Sequence, residues 1–142
     1  MTDPATAIAH ILQTAKVIAV VGASANPDRP SHDVMAYLQH AGYRVIPVNP
    51  GLAGQTLLGE KVYAHLRDVP VAVDLVDIFR RSSEAGTAID EAIAIKAKAV
   101  WLQLGIFEEA AIARAKAAGL DTVVNHCTKI EHRRLKAAGR AP

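Results

Sequence analysis

The chain has 142 residues, a formal net charge of +2, 51% hydrophobic residues and only 4% aromatics. That length suits one domain that buries a core without disulfides, and the mild charge and scarce aromatics exclude a nucleic-acid stacking platform or polyanion footprint. A single cysteine, Cys127, excludes an internal disulfide; with no signal-peptide or membrane-span pattern, it points to a reducing, cytoplasmic setting and no membrane partner.

Asp3-Pro4 opens a short amphipathic helix, with a carboxylate at the cap and proline at the first helical position. Ile8, Ile11, Leu12 and Ala15 share the face expected to cover a sheet edge. The rest of the chain is organised around residues 16–31. There the apolar run Val17–Val21 ends at Gly22, a small-residue turn follows, and a helix opens at Ser31. A buried first strand hands the chain to an anion-facing helix in this way. Gly22 lets backbone and ligand approach closely. Val34, Met35, Leu38 and Ala41 keep helical spacing up to a stop at Gly42.

Residues 43–48 form a second apolar run, and Pro47 marks an edge strand or a strand's last residues. Residues 51–70 read as a loop with a brief extended piece at Val62-Tyr63 and a helical turn near Leu66. The third strand is expected over 71–79. A helix capped by Ser83 follows, with Ala85, Ala88, Ile89, Ala92 and Ile93 inward. Residues 99–104 are the fourth strand, closed by Gly105. Phe107, Ala111, Ile112, Ala115 and Ala118 line the next helix, whose charges suit its dipole. After a fifth strand over 120–124, Thr128-Lys129-Ile130-Glu131 reads as a capping box, with a frayed tail beyond Ala138. Strand–helix alternation without hairpin signals predicts one α/β domain over 1–142 with its core in 16–131. Its fold class is three-layer, Rossmann-like and doubly wound, with a five-stranded parallel sheet in the order 3-2-1-4-5.

Ligands in such sheets bind beyond the carboxyl ends of the strands, where strand order reverses. Those ends are Gly22-Ala23-Ser24, Val48-Asn49-Pro50, Phe79-Arg80-Arg81, Gln103-Leu104-Gly105 and Asn125-His126-Cys127. Arg29, Pro30 and Ser31 join them from the first turn, and Lys129 from beyond the fifth strand. This rim is richer in cations and amides than the net charge suggests, which favours a phosphorylated ligand. An NAD(P) site needs G-x-G-x-x-G and an acid ending the second strand. Here the turn has one glycine, the second strand ends at Asn49, and Arg44 lies at the wrong end for a 2′-phosphate. An NAD(P)-binding Rossmann protein is disfavoured.

Asp74 and Asp77 are expected on opposite faces of their strand, so they form no acid–base pair; Asp77 is expected to hold backbone or an arginine. Trp101 reads as core. Cys127 precedes a helix start beside His126 and Lys129, a setting that can activate a thiol, yet packing is the commoner role at a strand end. The six histidines show neither HExxH spacing nor cysteine partners, so no metal site is expected. His32 stands where it can touch phosphate, and the others read as surface residues.

Seven blocks together carry a family resemblance. They are Gly22-Ala23-Ser24, Asp28-Arg29-Pro30-Ser31, Gly42-Tyr43-Arg44-Val45-Ile46-Pro47-Val48-Asn49-Pro50, Gly59-Glu60-Lys61-Val62-Tyr63, Val76-Asp77-Ile78-Phe79-Arg80-Arg81, Trp101-Leu102-Gln103-Leu104-Gly105 and Cys127-Thr128-Lys129-Ile130-Glu131. In these the chain resembles the small stand-alone CoA-binding proteins of the YccU-like family, which in turn resemble the CoA-binding domain of succinyl-CoA synthetase. The resemblance implies coenzyme A or a short acyl-CoA as ligand. It places Gly22, Ala23, Ser24 and Arg29 against the pyrophosphate, and Asn49, Pro50, Phe79, Arg80 and Arg81 around the adenosine and its 3′-phosphate. Pro30, Ser31, Gln103, Gly105, Cys127 and Lys129 complete the expected rim. Many relatives carry Lys after Asn-Pro and Asp-Arg before the cysteine, where this chain has Gly51 and Asn125-His126. The expectation is a CoA-binding module, non-catalytic alone, because synthetase-type catalysis needs a phosphohistidine segment and a nucleotide-grasping partner domain. The alternatives are a small enzyme acting on an acyl-CoA or nucleotide, and an interaction subunit for an unidentified protein partner.

Overall fold

The computed structural model describes residues 3–141. Strands β1 (Val17–Val21) and β2 (Arg44–Val48) flank helix α2 (Pro30–His40), and helix α1 (Pro4–Thr14) precedes them. Two short strands, β3 (Thr56–Leu57) and β4 (Glu60–Lys61), follow. Then come β5 (Leu75–Ile78), α3 (Ser82–Ala94), β6 (Ala99–Leu102), α4 (Glu109–Ala117), β7 (Asp121–Val124) and α5 (Thr128–Ala137). The main sheet is parallel, in the order β2-β1-β5-β6-β7.

Period-two alternation sorts each strand's side chains between two helical layers. Ile18, Val20, Leu75, Trp101 and Val123 pack with Ile8, Leu12, Val34, Leu38 and Leu135 from α1, α2 and α5. Ala19, Val21, Val76, Ile78, Val100 and Leu102 pack with Ala85, Ile89, Ala111 and Ala115 from α3 and α4. The three-layer, Rossmann-like α/β fold is therefore present. Small alanines on α3 and α4 let those helices sit close to the sheet.

The strand order differs from expectation. Numbered over the five main strands it is 2-1-3-4-5, not 3-2-1-4-5. The third strand buries all four side chains completely, which calls for a neighbour on each side, and it lies between β1 and β6. The outer flank of β2 instead receives a single parallel bridge, Val48 with Tyr63. Tyr63 N–H donates to Pro47 O at 3.1 Å. Pro47 N lies on that same outer flank, where its missing N–H leaves the ladder to β1 intact.

Other local expectations also change. The third strand starts at Leu75 because the Asp74 carboxylate accepts the Lys16 and Val17 N–H groups, each at 2.9 Å, and so pins the start of β1. Residues 51–70 hold a hairpin: Leu58 and Gly59 both have positive φ, as a two-residue turn between β3 and β4 requires. Ser83 is not the cap of α3; Arg81 occupies that position, and the Ser82 hydroxyl accepts the Phe107 N–H at 2.9 Å. Phe107 precedes α4 and is 52% exposed, and Ala118 is exposed beyond the helix. Residues 139–141 are docked, not frayed. Arg140 N–H donates to Leu135 O at 2.8 Å, and Gln13 Nε2 donates to Arg140 O at 2.7 Å.

Candidate functional site

The chain leaves β1 for β2 on one side and returns to β5 on the other, so the order reverses between β1 and β5. At this switch point their carboxyl ends, Gly22 and Phe79, splay the connecting loops apart. Gly22 has φ +88°, and a Cβ there would lie 2.7 Å from Phe79 O. The glycine thus serves the fold before any ligand. Its N–H and that of Ala23 both donate to Val48 O, at 3.0 and 3.4 Å, so neither amide is free for an anion.

The turn beyond is preorganised. Ser24 Oγ accepts the Asn26 N–H at 3.1 Å, and Asn26 Oδ1 accepts the Asp28 N–H at 3.0 Å. Pro30 opens α2 with Ser31 in its first turn, where the His32 and Asp33 N–H groups both donate to Arg29 O, at 3.1 and 3.3 Å. Asn49 ties two rim segments together: its Nδ2 donates to Ala23 O at 2.8 Å, and its Oδ1 accepts the Gly51 N–H at 2.8 Å.

A cleft of about 730 Å³ opens here. Gly22, Ala23, Ser24, Arg29, Pro30, Ser31, Asn49, Phe79, Arg80, Arg81, Gln103 and Cys127 line it, all expected from the strand-end argument. Leu104, named with the same strand ends, lines it too, as do Val34 and Ile106, which were not expected there. Val34 could have been found, since it lies one helical turn beyond Ser31. Arg29 and Arg81 are exposed and Arg80 is half-buried. Arg81 makes a loose 3.6 Å ion pair with Glu84.

The remaining expected residues lie off this wall. Pro50 lines an adjoining cavity of about 350 Å³, which shares Arg80 with the cleft. Gly105 is a turn residue whose N–H donates to Asn125 Oδ1 at 2.8 Å. Lys129 pairs with Asp33 at 2.8 Å and lies over the Tyr37 ring. His32 is in the first turn of α2 but not on the cleft wall.

Beneath the cleft is a network that pattern reading missed. Asp77 is fully buried and holds neither backbone nor an arginine. Its Oδ1 accepts from Gln103 Nε2 at 2.5 Å and its Oδ2 from the Thr128 hydroxyl at 2.8 Å. Gln103 Nε2 also donates to Thr128 Oγ1 at 3.0 Å. Burial pushes the Asp77 carboxyl up to about 7, against the downward pull of these two partners. Thr128 is therefore no capping-box residue; Cys127 occupies the N-cap of α5, with no side-chain capping bond. Glu131 pairs with Arg134 at 2.9 Å. His132, read as a surface residue, is fully buried, its Nδ1 2.8 Å from the Tyr37 hydroxyl. Among the described residues no group of three or more His, Cys, Asp or Glu could hold a metal ion, and no helix is long and apolar enough to cross a membrane.

Comparison with known proteins bears on the fold and the family. The uncharacterized protein YneT of Bacillus subtilis is 38% identical over 133 residues, covering 93% of this chain and 97% of YneT. A hypothetical protein from Pyrococcus horikoshii OT3 superposes with a TM-score of 0.89 at 38% identity, over 96% of this chain and 98% of its own. A Thermus thermophilus protein gives a TM-score of 0.88 at 40% identity, over 95% and 99% of the two chains. A dinucleotide-forming acetyl-coenzyme A synthetase from Ca. Korarchaeum cryptofilum matches 81% of this chain with 26% of its own, at 27% identity and a TM-score of 0.71. Residues 16–133 match the family described as CoA binding domain, and the chain belongs to that family.

Proposed function

We propose that this protein holds coenzyme A or a short acyl-CoA in the cleft at the β1–β5 switch point, as a binding module without catalytic activity of its own. The observation that carries the reading is the convergence of Arg29, Arg80 and Arg81 on one cleft, in a chain of the CoA binding domain family. Three guanidinium groups suit a ligand with a diphosphate and a separate phosphomonoester. The cleft volume falls within the range of about 300–1,000 Å³ usual for small-molecule sites. In this reading Ser24, Ser31 and Arg29 meet the diphosphate. Arg80 and Arg81 take the 3′-phosphate, with Asn49 and Phe79 as walls, and the cavity beside Pro50 extends the site. The same reading makes the protein cytoplasmic, where coenzyme A is drawn upon.

Calorimetric titration with coenzyme A, dephospho-CoA, NAD and NADP tests this. Coenzyme A should bind tightest, and loss of its 3′-phosphate should weaken binding measurably. Equal affinity for NAD would overturn the assignment in favour of a dinucleotide enzyme. No response to any of the four would favour an interaction subunit.

A further inference from the structure

The ring formed by Asp77, Gln103 and Thr128 leaves no freedom in the direction of its hydrogen bonds. Both hydrogens of the Gln103 amide are used, one on Asp77 Oδ1 and one on Thr128 Oγ1, and the Thr128 hydroxyl hydrogen is used on Asp77 Oδ2. Turning the Gln103 amide over would press its carbonyl oxygen against a carboxylate oxygen, acceptor against acceptor. Gln103 itself is only 5% exposed yet lines the cleft. Its Oε1 keeps access to solvent and has no partner among the described residues. A lone acceptor of fixed polarity is thus presented to the ligand.

A buried carboxylate is an expensive way to hold an amide, and an asparagine would fill the same space without the desolvation. The carboxylate offers what asparagine does not: two acceptors and no donor, so Gln103 has one orientation instead of two.

We infer that Asp77 is a positioning residue that aims the Gln103 side-chain carbonyl into the cleft as an acceptor for an amide N–H of the ligand's uncharged arm. This rests on the coenzyme A reading above. The arm is assigned to this end because Gln103 stands with Leu104, Ile106 and Cys127, whereas the three arginines belong to the loops after β1 and β5. Coenzyme A carries two secondary amides in its thiol arm, and their N–H groups are donors suited to a carbonyl.

The polarity should depend on protonation of Asp77. Once protonated, its O–H needs an acceptor. Either Thr128 Oγ1 accepts it with Gln103 unchanged, or the Gln103 carbonyl accepts it by turning inward, which points the amide hydrogens at the ligand's own donor; one fixed polarity relaxes to two. Among the described residues no other ionisable side chain hydrogen-bonds to the ring; Cys127 adjoins Thr128 and lines the same cleft, and His126 Nδ1 lies 3.7 Å from Glu131. The neighbours of Asp77 in register are Val20 and Trp101, and burial, Gln103 and Thr128 alone set its titration. On α5 and α2, Lys129 pairs with Asp33, Glu131 with Arg134, and His132 Nδ1 with the Tyr37 hydroxyl.

The test compares coenzyme A with adenosine 3′,5′-bisphosphate, which has no thiol arm, by calorimetry on wild type, Gln103→Leu and Asp77→Asn. Gln103→Leu should weaken coenzyme A about five- to tenfold and leave the bisphosphate unchanged. Asp77→Asn, nearly isosteric, should give a smaller loss in the same direction. In wild type the ratio of the two affinities should fall between pH 8 and pH 6, and in Asp77→Asn it should stay level; taking the ratio cancels phosphate titration. Equal weakening of both ligands, or the same pH profile in the variant, would overturn the inference while leaving coenzyme A binding intact. If wild type binds the bisphosphate but shows no gain for coenzyme A, the arm is not held here and the inference fails. If it binds neither, the coenzyme A reading itself has failed.

Discussion

The two walls of the cleft are built on opposite plans. On the β1–β5 side, Arg29, Arg80 and Arg81 are long cations on loops, exposed or half-exposed and at most loosely paired. On the β6–α5 side, Gln103 is held rigidly by a buried acid and a buried hydroxyl. The first wall supplies attraction that many polyphosphates would share and that salt screens. The second supplies one acceptor at one place, which discriminates between ligands and is insensitive to salt.

The largest expected effect isolates the cost of the rigid wall. The folded Asp77 carboxyl, at about 7, lies above its ordinary value of 3.8. Well below pH 3.8 it is protonated in both states and carries no penalty. Between pH 4 and 7 the unfolded chain ionises first, so stability falls as pH rises and then levels off. Measured by urea unfolding, the stability of Asp77→Asn relative to wild type should improve by as much as about 4 kcal/mol between pH 4 and pH 8. A gap that does not move with pH would mean that burial does not raise this carboxyl.

Next in size is the hinge between the walls. Gly22→Ala places a methyl group against Phe79 O at positive φ. It should cost about 2–3 kcal/mol of unfolding free energy and disturb ligand binding at both ends of the cleft. On the loop wall, Arg80→Ala should lower coenzyme A affinity roughly tenfold, with the loss shrinking in high salt. If the defect disappears with dephospho-CoA, Arg80 serves the 3′-phosphate; if it persists, Arg80 serves the diphosphate. The smallest effect is a control remote from both walls. Arg114 makes a two-pronged pair with Asp90 at 2.9 and 3.1 Å between half-exposed side chains. Arg114→Ala should leave the urea unfolding midpoint close to wild type and binding untouched.

The layered fold and the loop wall of the cleft were legible in the order of the amino acids. Apolar runs such as Val17–Val21, cut off by glycine turns and alternating with helical spacing, read as buried parallel strands, and in such sheets everything just past a strand's carboxyl end reaches one rim. Linear reading could therefore gather Ser24, Arg29, Asn49, Arg80 and Gln103 without knowing which strands are neighbours. Strand order was not legible there, because it depends on which edge of the folded sheet can accept another ladder. The single bridge at Tyr63 and the fully buried third strand are outcomes of packing, not of local pattern. Packing also decided the roles of Asp77 and Thr128, 51 residues apart and joined by one hydrogen bond. In sequence the threonine resembled a helix cap and the aspartate a strand-end acid. What turned them into a brace for Gln103 is burial, which obliges every polar group to find a partner wherever the fold brings one near.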